Sequence, residues 1–372
     1  MIMDASSPDP RVEKDKAARL IAFYLPQFHP IPENDEWWGR GFTEWTNVAK
    51  ARPLFPGHYQ PHVPADLGFY DLRVPETRIA QAEMARAHGV EAFCYYHYWF
   101  AGRRLLERPF AEVLASGRPQ FPFCLCWANQ TWSGVWHGAA DRILIRQTYP
   151  GCDDHRRHFD WLLTAFRDPR YLTVEGKPLL LIYCPQEIPD VAGLLTLWRE
   201  SAVKAGLKGL YLVGYRWNAD FLPQAHGFDG SIAERLPPRR PSVPKSRPIQ
   251  WLARKIEKKL GRPTVYSYRK LLDMLGAPTD AEMPEYPCVI PNWDNTPRSG
   301  KEGLVLHGST PELFRAYLRR VVRNMDAFPP ERRIIFIKSW NEWAEGNHLE
   351  PDIKFGRAYL QVVKQEIGQP PR

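Results

Sequence analysis

Short apolar runs alternate with stretches of helical period along the whole chain. The runs at 19–25, 90–99, 121–129, 177–184, 209–215, 228–234, 287–295 and 332–343 read as eight strands. Between them, apolar residues recur three and four apart, as on one face of a helix. The helix at 75–89 has Pro75 near its start and Gly89 at its end, the positions those residues favour. Further helices are predicted at 155–166, 191–206, 265–275 and 311–325, with a final one from about Gly356 and a broken one over 103–116. Eight strands alternating with helices predict parallel pairing through right-handed crossovers. Eight is also the number that closes a (β/α)8 barrel. A doubly wound open sheet is the alternative, but no Gly-rich phosphate loop follows the first strand.

Composition sharpens this picture. At ~150 residues per domain, 372 residues suggest two or three domains, yet barrels of this class run longer as one. The expected organisation is a leader at 1–18, polar and disordered, then one (β/α)8 TIM barrel over 19–372 with long βα loops. No apolar run is long enough to cross a membrane, and the first residues lack the apolar core of a signal peptide. A cytoplasmic protein is expected. The cysteines fit reduced thiols: Cys94, Cys124, Cys126 and Cys184 lie in apolar runs, while Cys152 and Cys288 fall at loop-like positions.

The formal charge is +8, but it is concentrated. Residues 235–262, a basic insert after the sixth strand, hold ten Lys and Arg against the single acid Glu257, so the rest of the chain is nearly neutral. A nucleic-acid partner is therefore not expected. The insert reads either as a solvated flap or as a basic helix, with Trp251, Leu252, Ile256 and Leu260 on one side, meeting an anionic membrane surface or a diphosphate-linked lipid.

Barrel enzymes work at the C-terminal ends of their strands. The first strand ends with Tyr24, Gln27 and His29, the second with Tyr95, Tyr96, His97 and Trp99. The third brings Trp127, Asn129, Gln130 and Trp132, the fourth Tyr183, and the fifth Tyr215, Trp217 and Asn218. The seventh ends with Trp293, Asp294, Asn295 and Arg298. The eighth runs into Trp340, Asn341, Glu342, Trp343 and Glu345, with His348 and Glu350 following. Any one of these rings could be ordinary core. Their recurrence at seven strand ends points to sugar: aromatic faces stack on pyranose C–H faces, while carboxylates, amides and Arg bond the hydroxyls. Glycosidic chemistry needs an acid for the leaving oxygen and a second carboxylate, and indole walls can set two such groups apart. Glu342 and Glu345 beside Trp340 and Trp343 suit that task. A cap or an Arg partner would be the structural explanation for either acid. His58 and His62 have a four-residue spacing that suits zinc on a helix, but Gly57 and Pro61 work against a helix and no third ligand is in view. No metal or other cofactor is expected.

The stretches "FYLPQFHPIPENDEWWGRGFTEWTNVAKARPLFPGHYQP", "DLGFYDLR", "FCYYHYWFAGRRLLERP", "FPFCLCWAN", "NWDNTPR" and "SWNEWAEGNHLEPD" strongly resemble the WbsX-type family of polysaccharide-biosynthesis proteins, also described as glycoside hydrolase family 99-like. The first stretch adds Trp38, Glu44 and Trp45 to the candidate sugar-binding residues. The resemblance implies a (β/α)8 barrel acting on bacterial surface glycans such as O-antigen and lipopolysaccharide. The "NEWAEG" segment resembles that of family 99 endo-α-mannosidases. This resemblance implies that Glu342 is the base towards the sugar 2-hydroxyl and Glu345 the general acid/base at the glycosidic oxygen. Configuration would be retained through a 1,2-anhydro sugar. One departure touches specificity: where relatives read "WANENW", this chain has Gln130 and Thr131.

Three functions compete. The first is an enzyme cleaving or transferring a glycosidic bond of a polysaccharide, free or lipid-linked. The second is a glycosyltransferase using an activated sugar donor, for which Arg298 and the basic insert are the candidate phosphate contacts. The third is a non-catalytic glycan-binding barrel. Nothing in the sequence sets the oligomeric state.

Overall fold

The computed structural model describes residues 16–134, 139–217, 220–233, 236–238, 262–275 and 284–368. Eight strands form the barrel: β1 (Arg19–Tyr24), β2 (Val90–Phe100), β3 (Phe123–Trp127), β4 (Lys177–Ile182), β5 (Tyr211–Tyr215), β6 (Gly230–Ala233), β7 (Glu285–Val289) and β8 (Ile334–Ile337). Each pairs in parallel with its neighbours in chain order. The ring closes on both sides of β1, with Tyr24 opposite Tyr95 and Ala22 opposite Ile337. The expected barrel is therefore the observed fold. Most strand residues are buried, as they must be where helices cover the outside and side chains fill the inside.

The described crossover helices are α1 (Pro75–Ala87), α2 (Arg108–Ser116), α3 (Cys152–Phe166), α4 (Val191–Lys204), α5 (Tyr268–Leu275) and α6 (Pro311–Asn324), and α7 (Ala358–Ile367) follows β8. The β5–β6 connection carries a short 3-10 turn at Pro223–His226 instead. The predicted helices at 103–116 and 265–275 each begin as a strand. Arg103–Leu105 folds back on the extended end of β2, and Thr264–Ser267 pairs in parallel with Leu304–His307 outside the barrel. Cys288, expected in a loop, is buried on β7, and the six cysteines are free thiols.

Inside the barrel Phe23 stacks on Tyr96 at 5.4 Å and meets Tyr215 and Phe336 at 5.9 and 5.8 Å. These rings form an apolar layer across the barrel. The expected leader lies outside the described residues up to residue 15, while Ala17 and Ala18 are buried. Most of the basic insert, including Trp251, Leu252, Ile256 and Leu260, also lies outside them, as does Asn218. No described helix is long and apolar enough to cross a membrane.

Candidate active site

A cleft of about 410 Å³ opens at the C-terminal ends of the strands. Every strand end contributes to its wall. Leu25 follows β1, Tyr96 and Tyr98 lie on β2, Ala128 and Gln130 follow β3, and Tyr183 follows β4. Trp217 follows β5, Leu236 and Pro237 follow β6, Trp293 and Arg298 follow β7, and Lys338, Glu342 and Glu345 follow β8. Trp38 and Glu44 reach in from the long β1–α1 loop, and Trp132 from the hairpin after β3.

The acids after β8 are presented by a tight hairpin. Asn341–Glu342 pairs antiparallel with Asn347–His348 around a 3-10 turn at Trp343–Glu345. Ser339 braces the hairpin base: its Oγ donates to the Asn347 carbonyl at 2.7 Å and accepts from the Glu342 amide at 2.8 Å. Gly346 closes the turn with φ +65°, and an added Cβ would sit 3.0 Å from the Asp294 backbone. The Asp294 amide donates to the Glu345 carbonyl at 2.7 Å, so the approach of the two loops is what requires glycine. The Asn341 side chain bonds both backbone groups of Leu25, accepting at 2.7 Å and donating at 3.0 Å, which ties the hairpin to the end of β1.

Asp294 serves as a buttress. It accepts from His58 at 2.6 Å, Gln60 at 2.7 Å and the Thr296 hydroxyl at 2.6 Å. Burial raises its pKa, but these bonds outweigh burial and hold the carboxyl below its ordinary value. Thr296 begins the short helix that carries Arg298. The guanidinium then donates to Glu345 at 2.6 Å and to Glu44 at 3.1 Å, and stands 3.9 Å from Glu342. Burial alone would lower the Arg298 pKa, yet Glu44, Glu345 and Glu342 outweigh it and raise it. Three buried carboxylates thus share one fixed cation. Tyr98 also faces Glu342: burial first, then that carboxylate, pushes its phenol well above the ordinary range.

Of the sequence candidates, Gln27, Trp38, Glu44, Tyr96, Gln130, Trp132, Tyr183, Trp217, Trp293, Arg298, Glu342 and Glu345 share the cleft wall. The others lie behind it. Tyr24 and Tyr95 face the helix layer, with the Tyr24 hydroxyl on Gln81 of α1 and the Tyr95 ring against Phe110 of α2. His97 stacks on Trp161 and Trp99 on His158, both from α3, while Trp127 packs on Trp198 of α4. Asn129 clamps the backbone of Cys184, joining the ends of β3 and β4. His29 bonds the Pro26 carbonyl, and Asn295 receives the Leu304 amide. Trp340 packs against Phe93, Trp45 lies 5.6 Å from Trp343, and Trp343 stacks on His348. The indoles behind the hairpin enclose a different acid from the expected pair. Glu350 is fully buried, and burial pushes its pKa up to about 7 despite bonds from Trp343, Gln81 and Tyr70.

Tyr98, Asn34 and Lys338 also line the cleft, beyond the residues that strand-end chemistry points to. Tyr98 is recoverable from Tyr96 by the two-residue period of a strand. Lys338 directly follows the apolar run of β8, and its ammonium lies 5.1 Å from the Trp293 ring and 5.7 Å from the Tyr183 ring.

Fold and cleft together define a (β/α)8 barrel with a carboxylate-rich, aromatic-walled mouth. Residues 20–363 match the family described as Glycosyltransferase WbsX. Two curated relatives, both "Uncharacterized protein WxcX" from strains of Xanthomonas campestris pv. campestris, are 42% identical over 361 residues, covering 95% of this chain. The chain belongs to the WbsX family. It spans about half the length of those relatives (50%). Among solved structures it is similar to a "Glycoside hydrolase-like protein", with TM-score 0.60 and 14% identity over 98% of this chain and 97% of that one. It is also similar to the GH99 endo-alpha-mannosidase from Bacteroides thetaiotaomicron, with TM-score 0.57 and 15% identity over 94% and 96%. At these identities the likeness speaks for the fold.

Proposed function

We propose that this chain is a carbohydrate-active enzyme that cleaves or transfers a glycosidic bond of a bacterial surface polysaccharide. The observation that carries this is the meeting of Glu342, Glu345 and Arg298 in one cleft at the strand C-terminal ends, walled by Tyr and Trp rings. Glu345 acts as general acid/base at the glycosidic oxygen, and Glu342 as base towards the sugar 2-hydroxyl. The hydroxyl then attacks the anomeric carbon, the leaving oxygen takes the proton from Glu345, and a 1,2-anhydro sugar forms. Water or a second sugar opens it with retention. Arg298 holds Glu345 in place, and the rings bind the pyranose faces. An α-mannoside-like substrate is the analogy that the structurally similar endo-alpha-mannosidase suggests.

The family description favours a second reading, in which an activated sugar donor is used. A lipid-linked form of the glycan would bring a cytoplasmic protein to the inner membrane face, where the ten Lys and Arg of 235–262 would meet anionic lipid rather than solvent alone. Stronger co-sedimentation with anionic than with neutral vesicles is expected.

The test is incubation with the host's own polysaccharide, with anomeric configuration followed by NMR. Glu342→Gln and Glu345→Gln should each lower turnover by roughly 10²–10⁴-fold, the contribution of a positioned acid or base. Full turnover in both variants would overturn the assignment. Saturable binding of a sugar nucleotide, with no product from polysaccharide alone, would favour the donor route.

A further inference from the structure

Behind Trp343, away from the cleft, a second set of polar side chains converges. His62 arrives on the β1–α1 loop, His348 on the returning strand of the acid hairpin, and Asp352 four residues later. One ligating atom from each lies within 4.8 Å of the others, and all three residues are buried. His62 Nδ1 is 2.9 Å from His348 Nε2. His348 Nδ1 is 2.8 Å from the Glu350 carbonyl oxygen. A carbonyl only accepts, so Nδ1 carries the proton and Nε2 turns its lone pair towards His62.

The surroundings hold these groups in place. The Tyr59 ring stacks on His62 at 4.4 Å, and Asp352 Oδ1 is fixed by the amides of Lys354 and Phe355 at 3.0 and 2.7 Å. A separate cavity of about 80 Å³ borders all three residues, room enough for an ion with water.

We propose that His62, His348 and Asp352 bind one divalent transition-metal ion of the zinc class. Two imidazoles and one carboxylate form the borderline donor set that such ions prefer. The carbonyl on the far nitrogen of His348 is the outer partner that metal-binding histidines use. Tetrahedral ligation with Zn–N bonds of ~2.0–2.1 Å sets the two nitrogens roughly 3.3 Å apart, so the rings need only part slightly. The site joins the β1–α1 loop to the acid hairpin. His348 stacks on Trp343 at 3.7 Å, and Trp343 stands between Glu342 and Glu345 in the turn. A bound ion braces the hairpin from behind without entering the cleft, and the assignment is independent of which reaction the cleft performs.

The experiment titrates chelator-treated full-length protein with Zn²⁺ by calorimetry and with Co²⁺ by visible absorption. His62→Gln and Asp352→Asn are run alongside. One saturable equivalent is expected in the native protein, with the visible bands of a low-coordinate cobalt site. Both variants should bind at least about tenfold more weakly and lose those bands. In the native protein Zn²⁺ should also shift the imidazole ¹⁵N resonances of His62 and His348, a readout that needs no substitution. No saturable uptake, unmoved resonances of those two rings, or equal affinity in folded variants each overturns the proposal.

Discussion

Arg298 donates to Glu345 at 2.6 Å while the same guanidinium reaches Glu44 at 3.0 Å. Removing it strands carboxylates in a buried wall. Arg298→Ala should cost about 3–5 kcal/mol, the range for breaking a buried ionic set, and should abolish turnover. Arg298→Lys keeps the charge but lacks the planar fork that spans two carboxylates, so it should recover stability more than activity. Urea denaturation and turnover measure the two effects. An alanine variant as stable as the native protein would remove Arg298 from this role.

Gly346 bears two burdens, a left-handed backbone and contact with the Asp294 loop. Gly346→Ala should cost about 2 kcal/mol or more and displace Glu345, lowering turnover. Gly68 has nearly the same φ, +61°, with nothing within 4 Å of an added Cβ. Gly68→Ala should therefore show the backbone cost alone, with activity intact. Matching losses in the two variants would contradict the close-approach explanation.

Stability should depend on pH with two opposed slopes. Burial pushes His62 down to about 4 and His97 down to about 3, from 6.5. Between those values the unfolded chain binds more protons, so this stability is complete above about 6.5 and is lost as pH falls. Glu350 runs the other way: its pKa is raised from 4.5 to about 7, so the folded protein binds the extra proton. Its stabilising share is present below about 4.5 and is lost as pH rises through 7. Urea melts of chelator-treated protein across pH 4–8 should show His97→Gln flattening the first slope and Glu350→Gln the second. Profiles parallel to the native one would dismiss both attributions.

The rim rings should govern binding more than chemistry. Trp217 stacks on Tyr215 at 5.4 Å, and its indole N–H donates to the Tyr183 carbonyl, yet 41% of the residue remains exposed to the cleft mouth. Trp132 is likewise half-buried among Trp37, Tyr98 and Phe100. Loss of one stacked ring is worth about 1.4 kcal/mol, so Trp217→Ala or Trp132→Ala should raise KM about tenfold with kcat little changed. A fall in kcat at constant KM would mean that the ring acts on the reacting centre instead.

The order of strands and helices was legible because each strand is an apolar run bounded by polar loops. Their ends were not. The eighth run was expected over 332–343, but β8 stops at Ile337, because the chain there leaves the sheet for a hairpin held by Ser339 and Asn347. The seventh stops at Val289 rather than 295. Side-chain direction was the second loss. Tyr95 and Tyr96 are neighbours on one strand, so one must face the helices while the other faces the cleft. Strand-end chemistry names both and cannot choose. Tyr98, omitted from the expectation, shares the parity of Tyr96, and His97 and Trp99 share that of Tyr95. The His62–His348–Asp352 cluster was hidden for a different reason: its members are 286 residues apart at the widest hydrogen-bonded pair, and only barrel closure brings them together.

The clasp between Asn341 and Leu25 has a consequence for biogenesis. Those positions lie 316 residues apart in the chain, so a nascent chain halted anywhere before residue 341 has no finished mouth, however well its earlier segments have folded. Competence arrives late and all at once, when the last strand docks against the first.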